Sequence, residues 1–137
     1  MKYLILYYSY TGHTKACAEF CASREGADDI AEIRDVKRPN KLKAFTAGVA
    51  AALRGKAWPI EELAADLAAY EHIHIFSPVW AGHMPPAVHA AIALLPAGAR
   101  VSLCLVSATG GSRCREQAEA AIRARGCEVV GFADLKA

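Results

Sequence analysis

Residues 7–19 read YYSYTGHTKACAE, an apolar run ending in three hydroxyl residues, Ser9, Thr11 and Thr14, gathered around Gly12. A simple turn needs one or two such residues. Upstream, KYLILYYS (2–9) is apolar on both faces, as expected of a central parallel strand covered on each side. Downstream, Gly12–Arg24 has helical spacing, with Cys17, Phe20 and Cys21 on one face and a stop near Gly26. Hydroxyls placed between a strand end and a helix start suit an anion, because free backbone N–H groups and the helix dipole point there. No lysine stands in a GxxxxGK[ST] pattern, so a nucleoside triphosphate is not the anion expected. Taken alone, the loop also reads as a helix cap with polar neighbours.

The same strand-then-loop pattern recurs along the chain. DDIAEIRDV (28–36) reads as a second, shorter strand, Lys41–Leu53 as an alanine-rich helix, and Glu61–Ala69 as another short helix. EHIHIFSPVW (71–80) is a third strand running into a loop, and PPAVHAAIALL (85–95) opens a helix on proline, whose missing N–H costs little there. RVSLCLVSATGGS (100–112) is a fourth strand, SRCREQAEAAIRARG (112–126) an amphipathic helix with a glycine stop, and CEVVGFADL (127–135) a last strand. Alternation of this kind, without repeat or linker, predicts one α/β domain over 1–137. Its expected core is a doubly wound five-stranded parallel sheet with right-handed crossovers. Ligands of such sheets bind beyond the carboxyl ends of the strands. Three of those ends carry unusual loops: YSYTGHT, SPVWAGHMPP and VSATGGS.

Composition bounds the reading. The chain has 137 residues, 54% hydrophobic and 22% charged, which is a globular composition with room for one full core. No apolar run reaches the roughly 18 residues that span a bilayer. MKYLILYYSYTGHTK reads as a first strand and not a signal peptide, since tyrosines and a glycine turn replace a small-residue cleavage site. Five cysteines (Cys17, Cys21, Cys104, Cys114, Cys127) without a CxxC pair read as reduced cytoplasmic thiols. A net charge of +2 gives no argument for nucleic acid. The charge is unevenly placed, however: Arg34, Lys37, Arg38, Lys41, Lys43, Arg54 and Lys56 face a single acid, Asp35, within 34–56. That segment is a solvated loop and helix face or a docking surface for an acidic partner.

The second loop supplies an aromatic plane, Trp80, between Ser77-Pro78-Val79 and Ala81-Gly82. Its indole can lie over a planar ring, where offset stacking adds roughly 0.5–1.5 kcal/mol beyond burial. The third, Ser107-Ala108-Thr109-Gly110-Gly111-Ser112, offers small residues and free backbone N–H groups to a polar ring edge.

With these residues in place, S-Y-T-G-H-T resembles the flavodoxin phosphate signature [ST]-x-T-G-x-T. SPVWAGHMPP is likewise similar to the flavin-facing loop of short flavodoxin-like proteins. The likeness runs in order over nearly the whole chain. It implies strand order 2-1-3-4-5 and non-covalent FMN. Ser9, Thr11, Gly12, His13 and Thr14, with the Tyr10 backbone, would hold the phosphate, with no cation required. Pro78, Val79, Trp80, Ala81 and Gly82 would border the isoalloxazine, with His83 near its edge. Ser107, Ala108, Thr109, Gly110 and Gly111 would line its pyrimidine side. No catalytic residue and no metal site is assigned.

Two departures from that family stand out. Many flavodoxins are strongly acidic, and negative surroundings lower the flavin's second reduction potential. The basic segment here leads us to expect a less depressed second step, about 59 mV for each 1.4 kcal/mol in a one-electron couple, readable by spectroelectrochemical titration. The chain also ends just past the fifth strand, where the fold normally adds a helix. In EHIHIF, His72 and His74 alternate with Ile73 and Ile75, and Ser102 and Cys104 alternate with Val101, Leu103 and Leu105. This is the pattern of a half-exposed sheet, expected either to be wet or to pair with a second subunit. Beyond these, His89 reads as a helix-surface residue, and Trp58 and Phe45 are the available second walls for a stacked ring.

Topology alone leaves function open. A response-regulator receiver needs clustered acids after the first strand and an aspartate ending the third, where Ser9 and Ser77 stand. A low-molecular-weight phosphatase needs Cys-x5-Arg directly after the first strand, and Cys17 lies inside a helix. What remains is an FMN electron carrier exchanging electrons with a redox protein or small molecule. The alternative is an FMN-dependent NAD(P)H:quinone-type oxidoreductase, and a flavin-free binding module is a third possibility.

Overall fold

The computed structural model describes residues 2–136, apart from the Phe45 side chain. The elements run β1 (Tyr3–Tyr7), α1 (His13–Glu25), β2 (Asp29–Glu32), α2 (Lys41–Lys43), a π-helical stretch Ala44–Gly48, α3 (Val49–Leu53) and a 3-10 turn Leu67–Ala69. They continue with β3 (His72–Pro78), α4 (Pro86–Ile92), β4 (Arg100–Ser107), α5 (Arg115–Ala124) and β5 (Glu128–Lys136). The strands form one parallel sheet in the order β2-β1-β3-β4-β5. The order expected from the resemblance is therefore the order present, and β1 lies inside the sheet as its two-sided apolar pattern required.

Strand alternation divides the core in two. Leu4, Leu6, Ile73, Ile75, Val101, Leu103 and Leu105 point to one face, where Val88, Ala91 and Ile92 of α4 and Ala118 and Ile122 of α5 cover them. Ile5, Tyr7, Phe76, Cys104 and Val106 point to the other, against Ala18 of α1. All five cysteines are free thiols, and no described helix is long and apolar enough to cross a membrane.

On the α1 face, the amino end of the sheet is polar and partly open, with the Tyr3 hydroxyl donating to Glu25 at the end of α1 at 2.9 Å. The Tyr3 and His72 rings stack at 4.7 Å, His72 Nε2 lies 2.8 Å from Ser102 Oγ, and His74 Nδ1 lies 3.0 Å from the Tyr3 hydroxyl. Val130 and Leu135 of β5 are exposed. The alternation thus marks a half-covered face, although Cys104 within it is buried.

Three local expectations are corrected. Phe20 is 63% exposed, because the stripe of α1 that meets the sheet runs through Thr14 and Ala18, four residues apart. Of the helix expected over Glu61–Ala69, only the 3-10 turn Leu67–Ala69 forms, with the Ala68 N–H donated to Asp66 Oδ1. The preceding chain is instead extended alongside the exit of β2: Ile60 bridges Asp35, and the Glu61 N–H donates to the Arg34 carbonyl at 2.7 Å. Composition favoured the helix; a tertiary backbone pairing overrode it. Finally, His89 is buried (8% exposed), since α4 is apolar all round and packs on every side. Its Nε2 has no hydrogen-bond partner among the described residues, and burial, followed by the charge of His83, lowers its pKa.

Candidate functional site

The carboxyl ends of β1, β3 and β4 lie side by side in the sheet order, which brings the three unusual loops together. After β1, the Gly12 N–H donates to Ser9 Oγ at 3.0 Å, and Gly12 has φ 101°, a conformation that favours glycine. This turn delivers the chain to the start of α1, where no side chain caps the first turn. The N–H groups there point outward with the positive end of the dipole. Thr14 and Ser9 are buried, whereas Thr11 and His13 are exposed with Thr11 Oγ1 3.4 Å from His13 Nδ1.

After β3, Trp80 and His83 exchange backbone hydrogen bonds of 2.7 and 3.0 Å, closing a two-residue turn. Ala81 (φ 52°) and Gly82 (φ 84°) are both left-handed, as a primed hairpin turn demands. Ala81 is the one described non-glycine residue with positive φ, and such a conformation costs roughly 1–2 kcal/mol per residue. After β4, the Gly110 N–H donates to Ser107 Oγ at 2.9 Å, which rolls the third loop back on itself.

Three cavities join along these loops. One of about 420 Å³ is lined by Tyr10, Thr11, His13 and Thr14 from the first loop, Pro78, Val79 and Trp80 from the second, and Val106, Ser107 and Ala108 at the end of β4. Another, of about 640 Å³, runs from Val79, Ala81 and Gly82 to Ser107, Ala108, Thr109, Gly111, Ser112 and Arg113. The last, of about 480 Å³, lies between Tyr10, Val79, Trp80 and Ala81 and the helical residues Lys41, Ala44 and Val49. Val79 borders all three and Trp80 two of them. Ser9, Gly12 and Gly110 shape the loops from behind the cavity walls. His83 lines none of the three; its Nδ1 lies 3.1 Å from Gln117 Oε1 of α5. A groove of about 600 Å³ at the amino end of the strands, lined by 62–68 with Leu94 and Pro96, has neither a donor loop nor an aromatic plane.

Several supports of this site escaped the sequence reading. Arg38 donates from Nη2 to the Tyr10 carbonyl, with its guanidinium 4.6 Å above the Tyr10 ring. The Tyr10 hydroxyl in turn donates to the Pro39 carbonyl at 2.9 Å. A cation therefore stands directly behind the first loop. Tyr8 donates to Asp35 Oδ2 at 2.6 Å. Burial and that hydrogen bond push the Tyr8 phenol well above its ordinary pKa. Burial also raises Asp35, against the opposing effects of the Tyr8 hydrogen bond and the Arg38 charge.

Trp80 meets Tyr10 edge-on, with centroids 5.8 Å apart and planes at 89°, and Tyr8 at 6.2 Å. Its benzo edge presses on Gly48, where an added Cβ would sit 2.7 Å from Trp80 Cζ3. Gly48 is required because no side chain fits under the indole, and only the tertiary contact reveals it. Trp58 Cη2 lies 3.4 Å from the same Cβ position, with the Lys43 ammonium 5.3 Å from its ring centroid, so it stands beside Gly48 and lines none of the three cavities. Phe45, the other expected wall, has a side chain outside the described residues.

An open parallel sheet of order 2-1-3-4-5, with its cleft at the ends of β1, β3 and β4, defines the flavodoxin-like fold. The chain superposes on a flavoprotein from Lactobacillus acidophilus NCFM in complex with FMN with a TM-score of 0.77 and 24% identity, covering 96% of this chain and 91% of the other. It matches two-electron reduced Megasphaera elsdenii flavodoxin with a TM-score of 0.60 and 19% identity (97% and 87% covered). For Streptococcus pneumonia TIGR4 flavodoxin the TM-score is 0.60 and the identity 15% (100% and 87% covered). No family model matches the sequence, and no curated protein matches it. The likeness is one of fold.

Proposed function

We propose that this chain binds FMN non-covalently in the three-loop cleft and serves as an electron carrier. The observation that carries the reading is the uncapped start of α1 opening, with Thr11, His13 and Thr14, into the same 420 Å³ cavity as Trp80. That donor set fits a phosphate monoester: backbone N–H groups, two threonine hydroxyls and a helix dipole, with Arg38 adding positive charge from behind. Charge-assisted hydrogen bonds of this kind are about twice as strong as neutral ones. Bound FMN would supply one- and two-electron redox chemistry. The protein's part is to fix the phosphate, set the ring against the indole with Val79 and Ala81, and offer the third loop to its polar edge. The structural neighbour that contains FMN supports this reading.

Titration of FMN and of riboflavin tests it directly. FMN should bind at least about tenfold more tightly, because phosphate hydrogen bonds to charged groups contribute roughly 1.5–3 kcal/mol. Thr11→Ala should weaken FMN by about tenfold and leave riboflavin unchanged. Trp80→Ala should weaken both. Equal affinity for the two flavins, or none for either, overturns the proposal.

One observation favours a second reading, an FMN-dependent NAD(P)H:quinone-type oxidoreductase. Among the described residues, Tyr10 and Trp80 are the tyrosine and tryptophan that line the three cavities, and they stand perpendicular. Neither Tyr10 nor Trp58, which lines none of the three cavities, is stacked parallel to Trp80 among the described residues, an arrangement compatible with a nicotinamide over a bound ring. Rapid bleaching of the loaded protein by NADH or NADPH in stopped flow selects the enzyme; a colour stable for minutes selects the carrier. The same proposal places a second copy of the chain on the half-open sheet face, to be read by light scattering. It also assigns the protein to the reducing cytoplasm, consistent with five free thiols.

A further inference from the structure

The basic segment acquires a direction once folded. Residues 34–56 hold seven of the 16 basic residues and one of the 14 acids, so the rest of the chain carries thirteen acids against nine bases. The one acid, Asp35, is turned inward to Tyr8, where it faces the charges of Arg38 and Lys43 and not those of Lys37, Lys41 or Lys56. Among the described residues, Arg34 is the only basic side chain of this segment in a salt bridge, at 2.6 Å to Glu32. Lys37, Lys41 and Lys56 are exposed, and Lys41 lines the cleft itself.

The topology sharpens the asymmetry. Arg113 and Lys136 also stand at the carboxyl end of the sheet, against the loops that carry Gly82 and Gly110. Asp28, Asp29, Glu71 and Glu128 gather where the strands begin. Lys2, Arg24 and Arg100 stand among those acids, so charge is nearly balanced where the strands begin, and the excess of positive charge lies at the cleft end. Such a field orients an approaching partner and raises association rates by roughly 10–1,000-fold at low ionic strength. Among the lysines, Val36 is 64% and Leu42 74% exposed. Apolar side chains within a charged rim are what a docking surface needs, because charge steers the encounter and apolar contact holds it.

We propose that the exposed basic surface of residues 36–56, carrying Lys37, Lys41, Lys56 and Leu42, is the docking surface for an acidic electron-transfer protein. The partner's chemistry follows from charge complementarity, and its role rests on the flavin reading above. Docking here puts the partner at the mouth of the 480 Å³ cavity beside Trp80.

The test titrates the protein, with and without FMN, against two probes of opposite charge: oxidised plant-type [2Fe–2S] ferredoxin, which is acidic, and cytochrome c, which is basic. Nuclear magnetic resonance shifts and calorimetry read binding independently of any flavin colour. Ferredoxin should bind both forms at low salt and shift amides of 36–56. Its affinity should fall by at least about tenfold between about 20 mM and about 500 mM salt, where the Debye length drops severalfold. Cytochrome c should not shift those amides. The triple substitution Lys37→Glu, Lys41→Glu, Lys56→Glu should abolish ferredoxin binding, while Arg24→Glu at the opposite end leaves it intact. Should the triple variant fold poorly, the glutamine series reports the same loss in weaker form.

Ferredoxin binding that ignores salt, that survives the triple variant, or that disappears once FMN is bound overturns the docking surface. The last result would show only an anion site competing with phosphate. If FMN fails to bind and ferredoxin still does, the flavin reading falls and the surface stands.

Discussion

The two faces of the sheet share the same five strands and are stabilised in different ways. On one, Ile73, Ile75, Val101, Leu103 and Leu105 meet two helices, and the side chains are fully buried aliphatics. On the other, α1 covers Ile5, Phe76 and Cys104, while His72, His74 and Tyr3 stack with their ring nitrogens and hydroxyl hydrogen-bonded to one another and to Ser102. The first face depends on volume and the second on protonation state. A face that must also accept water, or another surface, cannot rely on aliphatic burial alone.

The largest effect should come from the aliphatic face. Ile75→Ala removes a side chain with no exposed surface and should cost about 2–5 kcal/mol in chemical denaturation, independent of pH. A loss below 1 kcal/mol would mean that this face packs no better than the other.

The polar face should answer to acid. Burial, partly offset by Glu25 and reinforced by His72, lowers the His74 pKa to about 4. The unfolded chain, with an ordinary histidine pKa near 6.5, therefore binds more protons than the folded one between those values. Stability is then fully present above about pH 6.5 and is lost as pH falls toward 4, by on the order of 2–3 kcal/mol. His74→Phe should flatten that slope in denaturation curves taken from pH 4 to 7. An unchanged slope would move the acid sensitivity elsewhere.

Smaller still is the strain expected where the aliphatic face meets the cleft. Gly48→Ala puts a methyl 2.7 Å from the Trp80 ring and should cost about 1–3 kcal/mol while displacing the indole. A shifted tryptophan emission spectrum would report that displacement. Leu135→Ser, on the exposed strand of the polar face, should change stability by less than about 0.5 kcal/mol. If a second copy covers this face, the same substitution halves the mass seen by light scattering.

How much of this was legible beforehand differs between strands and side-chain clusters. The strands were readable from short apolar runs, continuous in β1 and alternating in β3 and β4, and three of them from the hydroxyl- or glycine-rich loops at their ends. The cleft was readable for the same reason, since three such ends had to converge. Phe20 and His89 were misjudged because a helix's buried stripe depends on what packs against it. A one-position rotation of α1 is enough to expose a phenylalanine. The extended chain at Ile60 was missed because backbone pairing with Asp35 leaves no periodic trace.

The amino-acid order alone determined the alternation of strands and helices and the place of the hydroxyl-rich loop after the first strand, because both follow from local periodicity and turn chemistry; the strand order came from the family resemblance. Tertiary structure decided which side chains stand behind that loop. Arg38, Gly48 and the Tyr8–Asp35 pair come from elements far apart in sequence, and no local pattern records a contact that forms only when two loops fold against each other.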